Sequence, residues 1–221
     1  MDTYGRLTEK MISELASVLG TGGIITDDRD LLENYSWDQA GRIWGHMPEA
    51  VVRPDNTGQV SAVMKIASRY RIPVTPRGAG SGLNGGAVPL AGGIVLSLER
   101  MNAILEIDPV NRVAVVEPGV VTNDLCRAAA EKGFLYAGYP MSTETSFIGG
   151  NFATNAGGGK VVRYGSTRRH TQWRCWVKAK ATTLPVCPAP LPHTNLSCCM
   201  AVAVTVTSCD TQLPTLNRNG C

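Results

Sequence analysis

The spacing of hydrophobic positions changes near residue 50 of this chain. Up to that point apolar residues recur every three or four positions, which predicts a helix over residues 8–19 and a shorter one over residues 28–35. Thr8 can cap the first helix and Gly20 can end it. The N-terminal part, residues 1–47, is therefore expected to be a helical segment.

From Ala50 onward short apolar runs alternate with amphipathic stretches. The runs at 50–52, 72–76, 94–98, 104–107 and 112–117 predict strands. Thr57 and Thr122 are expected to cap two helices, which end before Pro73 and at Lys132. This order predicts an α+β fold with short elements, and 221 residues suffice for one ordinary domain or two small lobes.

A glycine-rich stretch lies between two of the predicted strands. Residues 77–86, RGAGSGLNGG, contain five glycines, which allow successive backbone N–H groups to converge on an anion such as a pyrophosphate. The spacing Gly80-x-Gly82-x-x-Gly85 matches the Rossmann fingerprint, but that fingerprint opens a helix, and residues 86–93 cannot sustain one. No Gly-Lys-Ser/Thr follows, so the Walker pattern is absent. The alternative interpretation is a glycine-rich surface turn.

A second stretch of small residues occupies positions 143–158, TETSFIGGNFATNAGG. Hydroxyls and amides there can supply hydrogen bonds while small side chains let two backbones approach a planar ligand. Taken alone, the stretch is equally compatible with a flexible loop whose residues cap neighbouring elements.

Four motifs in register carry a family resemblance. In order they are PRGAGS (76–81), VEPGV (116–120), IGGNFATNAGG (148–158) and RYG (163–165). Together they resemble the FAD-binding domain of the vanillyl-alcohol oxidase and p-cresol methylhydroxylase type. Within that group the chain is most similar to the FAD-linked subunit of glycolate oxidase and to D-lactate dehydrogenases, over residues 48–168.

The resemblance implies a two-lobed α+β domain that binds FAD between its lobes, with the second lobe incomplete here. Some relatives tether FAD through a histidine in the first loop, whereas this loop has Ser81, so non-covalent FAD is expected. The implied cofactor-binding residues are Thr75, Pro76, Arg77, Gly78, Ala79, Gly80, Ser81, Pro118, Gly119, Thr143, Ser146, Gly149, Gly150 and Asn155.

By the same resemblance the function is that of a flavin-dependent 2-hydroxy-acid dehydrogenase or oxidase of glycolate or D-lactate type. In such enzymes hydride passes from the substrate Cα to the flavin, and the other catalytic groups come from a carboxy-terminal domain with a histidine-rich metal motif. None of the three histidines here fits that motif, so we predict no catalytic residue and no metal ligand, and expect the chain alone to be inactive.

Two other functions remain open from the sequence. One is a non-catalytic FAD-binding module that works only with partner subunits. The other is a cell-wall-precursor flavoreductase, which shares the FAD fold, although the segment at 148–158 resembles that group less.

Composition excludes several classes of function. The net charge is only +3 and the one basic cluster is Arg163, Arg168 and Arg169, so we expect no nucleic-acid partner. No apolar run approaches the ~18 residues of a membrane helix, and the N-terminus has no apolar signal region. We therefore expect a cytoplasmic protein.

Residues 169–221 differ in composition from the rest of the chain. Of 18 acidic residues, 24 glycines and seven cysteines, this tail holds one acid, one glycine and every cysteine except Cys126. We interpret the tail as out of frame after a frameshift near Arg168. The alternatives are a genuine β module, since residues 201–207 alternate like a strand, and a zinc site, which the cysteine spacing disfavours.

Overall fold

The computed structural model describes residues 4–174 and 201–208. The six tail cysteines, Asp210 and His193 lie outside these residues. The described chain forms two compact units, residues 4–101 and residues 102–174 with 201–208. Helices and strands occur in both units, which confirms the predicted α+β pattern.

The first unit holds three α-helices, a short 3-10 helix and four strands. In chain order they are α1 (Glu9–Leu19), β1 (Ile24–Ile25), α2 (Arg29–Asn34), the 3-10 helix (Arg42–Trp44), β2 (Ala50–Val52), α3 (Thr57–Tyr70), β3 (Val74–Arg77) and β4 (Ile94–Ser97).

These strands form one sheet in the order β1-β2-β4-β3, in which β2, β4 and β3 are parallel and β1 is antiparallel at the edge. Alternate residues of β2 and β4 enter two cores, because successive side chains of a strand point to opposite faces. Val52 and Leu96 pack with α1 and α3, whereas Val51 and Val95 pack with Leu32 of α2. Side chains from the segment before position 48 thus pack against both faces of the sheet.

The connection from β3 to β4 determines where the candidate site lies. Parallel neighbours need a crossover, which is usually a helix. Here residues 78–93 make the crossover as turns and bends without a helix, which confirms that the Rossmann fingerprint does not apply. A structureless loop of this length is uncommon unless it has a function.

The second unit is built around an antiparallel sheet. Its elements are β5 (Ile104–Asp108), β6 (Val113–Val116), α4 (Thr122–Glu131), β7 (Phe134–Tyr136), α5 (Ile148–Thr154), α6 (Val161–Tyr164), a 3-10 helix (Thr167–His170), β8 (Thr171–Arg174) and β9 (Ala201–Ser208). β9 pairs with β6, β7 and β8, and it includes residues 201–207, whose alternation is typical of a strand.

Two predicted helix caps differ from the structure. Asn56, not Thr57, caps α3, and its Oδ1 accepts a 3.0 Å hydrogen bond from the Gln59 backbone N–H. Thr122 is the first residue of α4 and its hydroxyl bonds to Ser146 instead. In the part of the chain that the structure describes, no helix is both long and apolar enough to cross a membrane.

Candidate functional site

The carboxyl ends of the three parallel strands in the first unit lie side by side. Polar residues occupy them: Arg53 follows β2, Arg77 ends β3, and Ser97 ends the central strand β4. Ligands of open parallel sheets bind outside this edge. The glycine-rich crossover begins here, immediately after Arg77, so the strand arrangement places the predicted phosphate loop where a ligand is expected.

Many backbone N–H groups of this crossover are available to a ligand. Within the described residues, none of the backbone N–H groups from Gly78 to Ala87 donates a hydrogen bond, and the first to do so is that of Val88, to Gly85 O at 3.1 Å. Backbone donors rarely remain unpaired in a folded protein unless water or a ligand meets them. A run of such groups in a glycine-rich loop is suited to binding an anion.

The side chain of Arg77 points into the unit, away from solvent. It is 8% exposed, and its guanidinium donates to the backbone oxygens of Asn34 at 3.1 Å and Trp37 at 2.8 Å, with a longer contact to Ala87 O at 3.5 Å. Its Cζ lies 5.5 Å from the centre of the Tyr35 ring. These donors are therefore occupied by backbone oxygens of residues 34–37 and, at longer range, of Ala87 at the far end of the loop.

Gly80 packs directly on that guanidinium. Its φ is +70°, and a Cβ at this position would meet the Nη2 atom of Arg77 and lie 2.6 Å from Cζ. By contrast, Cβ atoms at Gly82, Gly85 or Gly86 would meet nothing within 4 Å. A substitution at Gly80 would thus displace Arg77 as well as fill the loop, whereas the other three glycines border open space.

A hydrogen-bonded carboxylate completes this edge of the sheet. The Tyr35 hydroxyl donates to both oxygens of Glu99 at 3.0 Å, the Ser97 hydroxyl donates to Oε2 at 3.1 Å, and Arg53 lies 3.5 Å from Oε1. Burial and the charge of Glu99 together raise the pKa of Tyr35 above its ordinary value. The phenol therefore stays protonated and remains a donor to the carboxylate.

In the second unit Pro118 and Gly149 are in contact. The Gly149 N–H donates to Pro118 O at 2.8 Å, and a Cβ on Gly149 would lie 2.6 Å from Cβ of Pro118. Gly119, next to Pro118, is buried. The structure thus brings the motif at 116–120 and the start of the motif at 148–158 together, as a ligand site shared by them requires.

Three buried polar side chains of the same unit form a hydrogen-bonded network. Thr122, Ser146 and Asn151 are 0%, 2% and 4% exposed. The Thr122 Oγ1 donates to Ser146 O at 2.9 Å, lies 2.9 Å from the Ser146 Oγ, and accepts from Asn151 Nδ2 at 2.6 Å. Buried polar groups are stable when they satisfy one another in this way.

The remaining predicted residues of this unit are spread along α5 and its preceding loop. Thr143 is 7% exposed and its carbonyl accepts from the Asn123 N–H at 3.0 Å. Gly150 would accommodate a Cβ without any contact inside 4 Å. Asn155 ends α5 in the left-handed region, with φ 53°, and its Oδ1 accepts from the Arg168 N–H at 3.1 Å.

Sequence reasoning missed five residues that shape these two places: Tyr35, Asp38 and Glu99 in the first unit, and Thr122 and Asn151 in the second. No local signal marks four of them as site residues, because Tyr35 bonds to Glu99, and Thr122 and Asn151 bond to partners that also lie far away along the chain. Asp38 is the exception, since its hydrogen bond is local. Asp38 is 1% exposed, with Oδ1 accepting from the Ala40 N–H at 2.9 Å. The described residues contain no cluster of side chains that could hold a metal ion.

The sequence of residues 48–185 matches the family described as FAD binding domain, and the match covers more than half of the chain. The chain belongs to this family. The resemblance inferred from the four motifs is confirmed, and FAD is the cofactor of the domain.

Curated relatives of this FAD-binding domain are oxidoreductases. Glycolate oxidase subunit GlcD of Bacillus subtilis is 43% identical over 145 residues, 62% of this chain and 31% of that protein. A D-lactate dehydrogenase of Anaerostipes hadrus is 37% identical over 182 residues, 82% of this chain and 36% of that protein. The chain therefore spans about a third of the length of these relatives.

Solved structures share the fold. An alkyldihydroxyacetonephosphate synthase superposes with a TM-score of 0.78 at 19% identity, over 94% of this chain and 42% of the other. p-Cresol methylhydroxylase with substrate bound superposes with a TM-score of 0.72 at 20% identity, over 91% of this chain and 44% of the other. These likenesses confirm the predicted fold class.

The residues present fit FAD at the loop of the first unit. The amides from Gly78 to Ala87, which have no partner in the described parts of the chain, provide donors for a diphosphate. The open space at Gly82, Gly85 and Gly86 lets the backbone approach it. Side chains of the loop contribute little charge, so recognition of the phosphates would depend on the main chain.

Proposed function

We propose that the chain is the FAD-binding part of a flavin-dependent dehydrogenase or oxidase of 2-hydroxy acids, of the glycolate or D-lactate type. The observation that carries this proposal is the helix-free crossover at the carboxyl edge of the parallel strands. Over ten consecutive positions, Gly78 to Ala87, its amides donate to no residue that the structure describes. The names of the curated relatives, glycolate oxidase subunit and D-lactate dehydrogenase, support the substrate class.

In this proposal the backbone of residues 78–87 binds the FAD diphosphate, with Thr75 and Pro76 at the end of β3 beside it. Pro118 and Gly119 border the adenine side, and Thr143, Ser146, Gly149, Gly150 and Asn155 line the rest of the cofactor. A bound flavin supplies the acceptor for the hydride that leaves the substrate Cα.

The proposed binding is non-covalent. Residues 78–87 contain no histidine or cysteine that could form a covalent bond to FAD, and Ser81 carries the loop's one hydroxyl. Precipitation of the purified chain with acid, followed by absorbance of the supernatant, tests this point. FAD that stays with the precipitated protein would contradict it.

We further propose that the chain alone does not oxidise substrate. Its relatives are about three times as long, and substrate oxidation needs a cation for the carboxylate and a base for the hydroxyl proton. We identify neither group among the residues that the structure describes. Partner segments or subunits would have to supply them.

Two measurements on the purified chain test these proposals. Titration with FAD, followed by quenching of flavin fluorescence and by the visible spectrum, should give saturable one-to-one binding. Assays with glycolate and D-lactate and a dye acceptor should then give no turnover. Absence of FAD binding would contradict the cofactor role, whereas turnover by the chain alone would contradict its dependence on further domains.

A further inference from the structure

Arg77 occupies an unusual position for a cation in a phosphate-binding motif. Its guanidinium is buried and donates to carbonyls of Asn34 and Trp37, which precede the sheet, and contacts Ala87 O at the far end of the loop. A direct contact with a diphosphate would require these bonds to break. One side chain thus connects three stretches of backbone.

The loop also rests on Arg77 at its near end. The backbone at Gly80 lies so close to the guanidinium that a Cβ there would overlap Nη2 and stand 3.2 Å from Nε. Gly80 also has φ +70°, a backbone conformation that residues other than glycine adopt only with strain. The near end and the far end of the loop are therefore both held against the same planar group.

The charge of Arg77 is balanced inside the protein. Burial lowers the pKa of Arg77, and the carboxylates of Asp38 and Glu99 act in the opposite direction. Asp38 is 1% exposed, and its Oδ2 has no hydrogen-bond partner in the described part of the chain. Buried cations are tolerated when such counter-charges compensate them, so this one needs no phosphate to neutralise it.

We propose that Arg77 is a positioning residue, which holds residues 34–37 and both ends of the loop together so that backbone amides, rather than the guanidinium, bind the FAD diphosphate. The inference rests on the proposed FAD binding and assigns to the segment at 34–38 a role in shaping the cofactor site. The charge of Arg77 then acts within the protein and not on the ligand.

Conservative and non-conservative variants distinguish positioning from direct contact. Lysine keeps the charge but cannot reproduce the planar fork that reaches several carbonyls. Arg77→Lys and Arg77→Met should therefore both weaken FAD binding by about tenfold or more, and by similar factors. The dissociation constant for FAD, titrated by flavin fluorescence at two salt concentrations, should show the same salt dependence in wild type and in Arg77→Met, because screening acts on exposed charges that face the ligand.

Arg100→Met is the matched control. Arg100 also donates to a backbone oxygen in the same unit, Gly22 O at 2.8 Å, and pairs with Asp55, but it has no described contact with the loop. Its loss should lower the melting temperature without changing FAD affinity. Circular dichroism melts of all variants confirm that affinities are compared between folded chains.

A double-mutant cycle at Gly80 and Arg77 gives a second test, and Asp38→Asn, which retains Arg77, keeps the inference testable if the Arg77 variants fold poorly. Gly80→Ala should weaken FAD binding in the wild type, because it pushes the guanidinium aside. It should have a smaller effect in Arg77→Ala, where only the backbone strain at φ +70° remains. Asp38→Asn, which removes the counter-charge and keeps the shape, should also weaken FAD binding.

Four results would overturn the inference: near-wild-type affinity in Arg77→Lys with a large loss in Arg77→Met, a reduced salt dependence in Arg77→Met, additive effects of Gly80→Ala and Arg77→Ala, or tighter FAD binding by Asp38→Asn. The first two are expected if the guanidinium contacts the phosphates. A wild-type chain that does not bind FAD would contradict the proposed function and this inference with it. Binding by the wild type together with any of the four contradicts this inference alone.

Discussion

Replacement of Thr122 by valine tests the buried polar network of the second unit. Valine keeps the shape of threonine but removes the hydroxyl, which bonds to the backbone and side chain of Ser146 and accepts from Asn151 Nδ2 at 2.6 Å. Because all three residues are at most 4% exposed, water cannot replace the lost partner without a rearrangement.

The expected cost follows from the groups left unpaired. A buried donor or acceptor without a partner costs about 1–3 kcal/mol, and two groups, the Asn151 amide and the Ser146 hydroxyl, lose one partner each. Since the effects within one network are not additive, we expect a loss of roughly 2–4 kcal/mol in the free energy of unfolding. In a chain of this size that corresponds to a melting temperature lower by about 5–15 °C.

Thermal melts followed by circular dichroism measure this change, with Thr122→Ser as the control. Serine retains the hydroxyl and removes one buried methyl group, so it should cost about 1 kcal/mol. FAD titration of the same variants adds a second readout, because the network holds Ser146 at the loop before α5. A melting temperature of Thr122→Val equal to that of Thr122→Ser would refute the reasoning.

Three further predictions concern other positions. Gly149→Ala should destabilise the chain by about 1–3 kcal/mol, because its Cβ overlaps Pro118. Gly150→Ala, whose Cβ meets no atom within 4 Å, should stabilise α5 by about 0.5–1 kcal/mol yet weaken FAD binding. Equal melting temperatures for the two variants would contradict this. Burial and Glu99 raise the pKa of Tyr35, so the folded chain holds this proton more tightly than the unfolded chain. Its stability should fall as pH rises above about 10, and denaturant titrations should show a shallower fall in Tyr35→Phe; an unchanged slope would speak against it. A frameshift near Arg168 predicts that resequencing the gene reveals a second frame there, and a single frame together with the matching mass of the native protein would end that hypothesis.

The order of helices and strands was predictable because local patterns determine it. β4 is buried along its whole length and was visible as an apolar run, and the glycine-rich crossover followed from residues that cannot sustain a helix. The helix caps were less predictable. Asn56 and Thr57 are adjacent and both can cap, and the hydroxyl of Thr122 is taken by Ser146, a partner 24 positions away that no local pattern reveals.

The roles of the glycines could not be separated from the sequence. Gly80, Gly149 and Gly150 all lie in motifs of the same character, but Gly80 makes room for Arg77, Gly149 makes room for Pro118, and Gly150 borders open space. Likewise the resemblance implies that Arg77 is a cofactor-binding residue, and the sequence does not reveal that its guanidinium donates to the backbone oxygens of Asn34 and Trp37. Such distinctions depend on contacts between distant segments, and a single sequence does not record them.

The amides of residues 78–87, which donate to none of the described residues, have a consequence for the kinetics of hydrogen exchange. An amide that donates only to water exchanges its hydrogen for deuterium without any prior opening of the fold, so this loop should label at nearly the rate of a free peptide while the neighbouring strands stay protected. A bound ligand that accepts hydrogen bonds from these amides would slow the labelling of each amide that it contacts. The exchange rates of the individual amides therefore report whether the loop is occupied, even when the bound ligand does not absorb visible light.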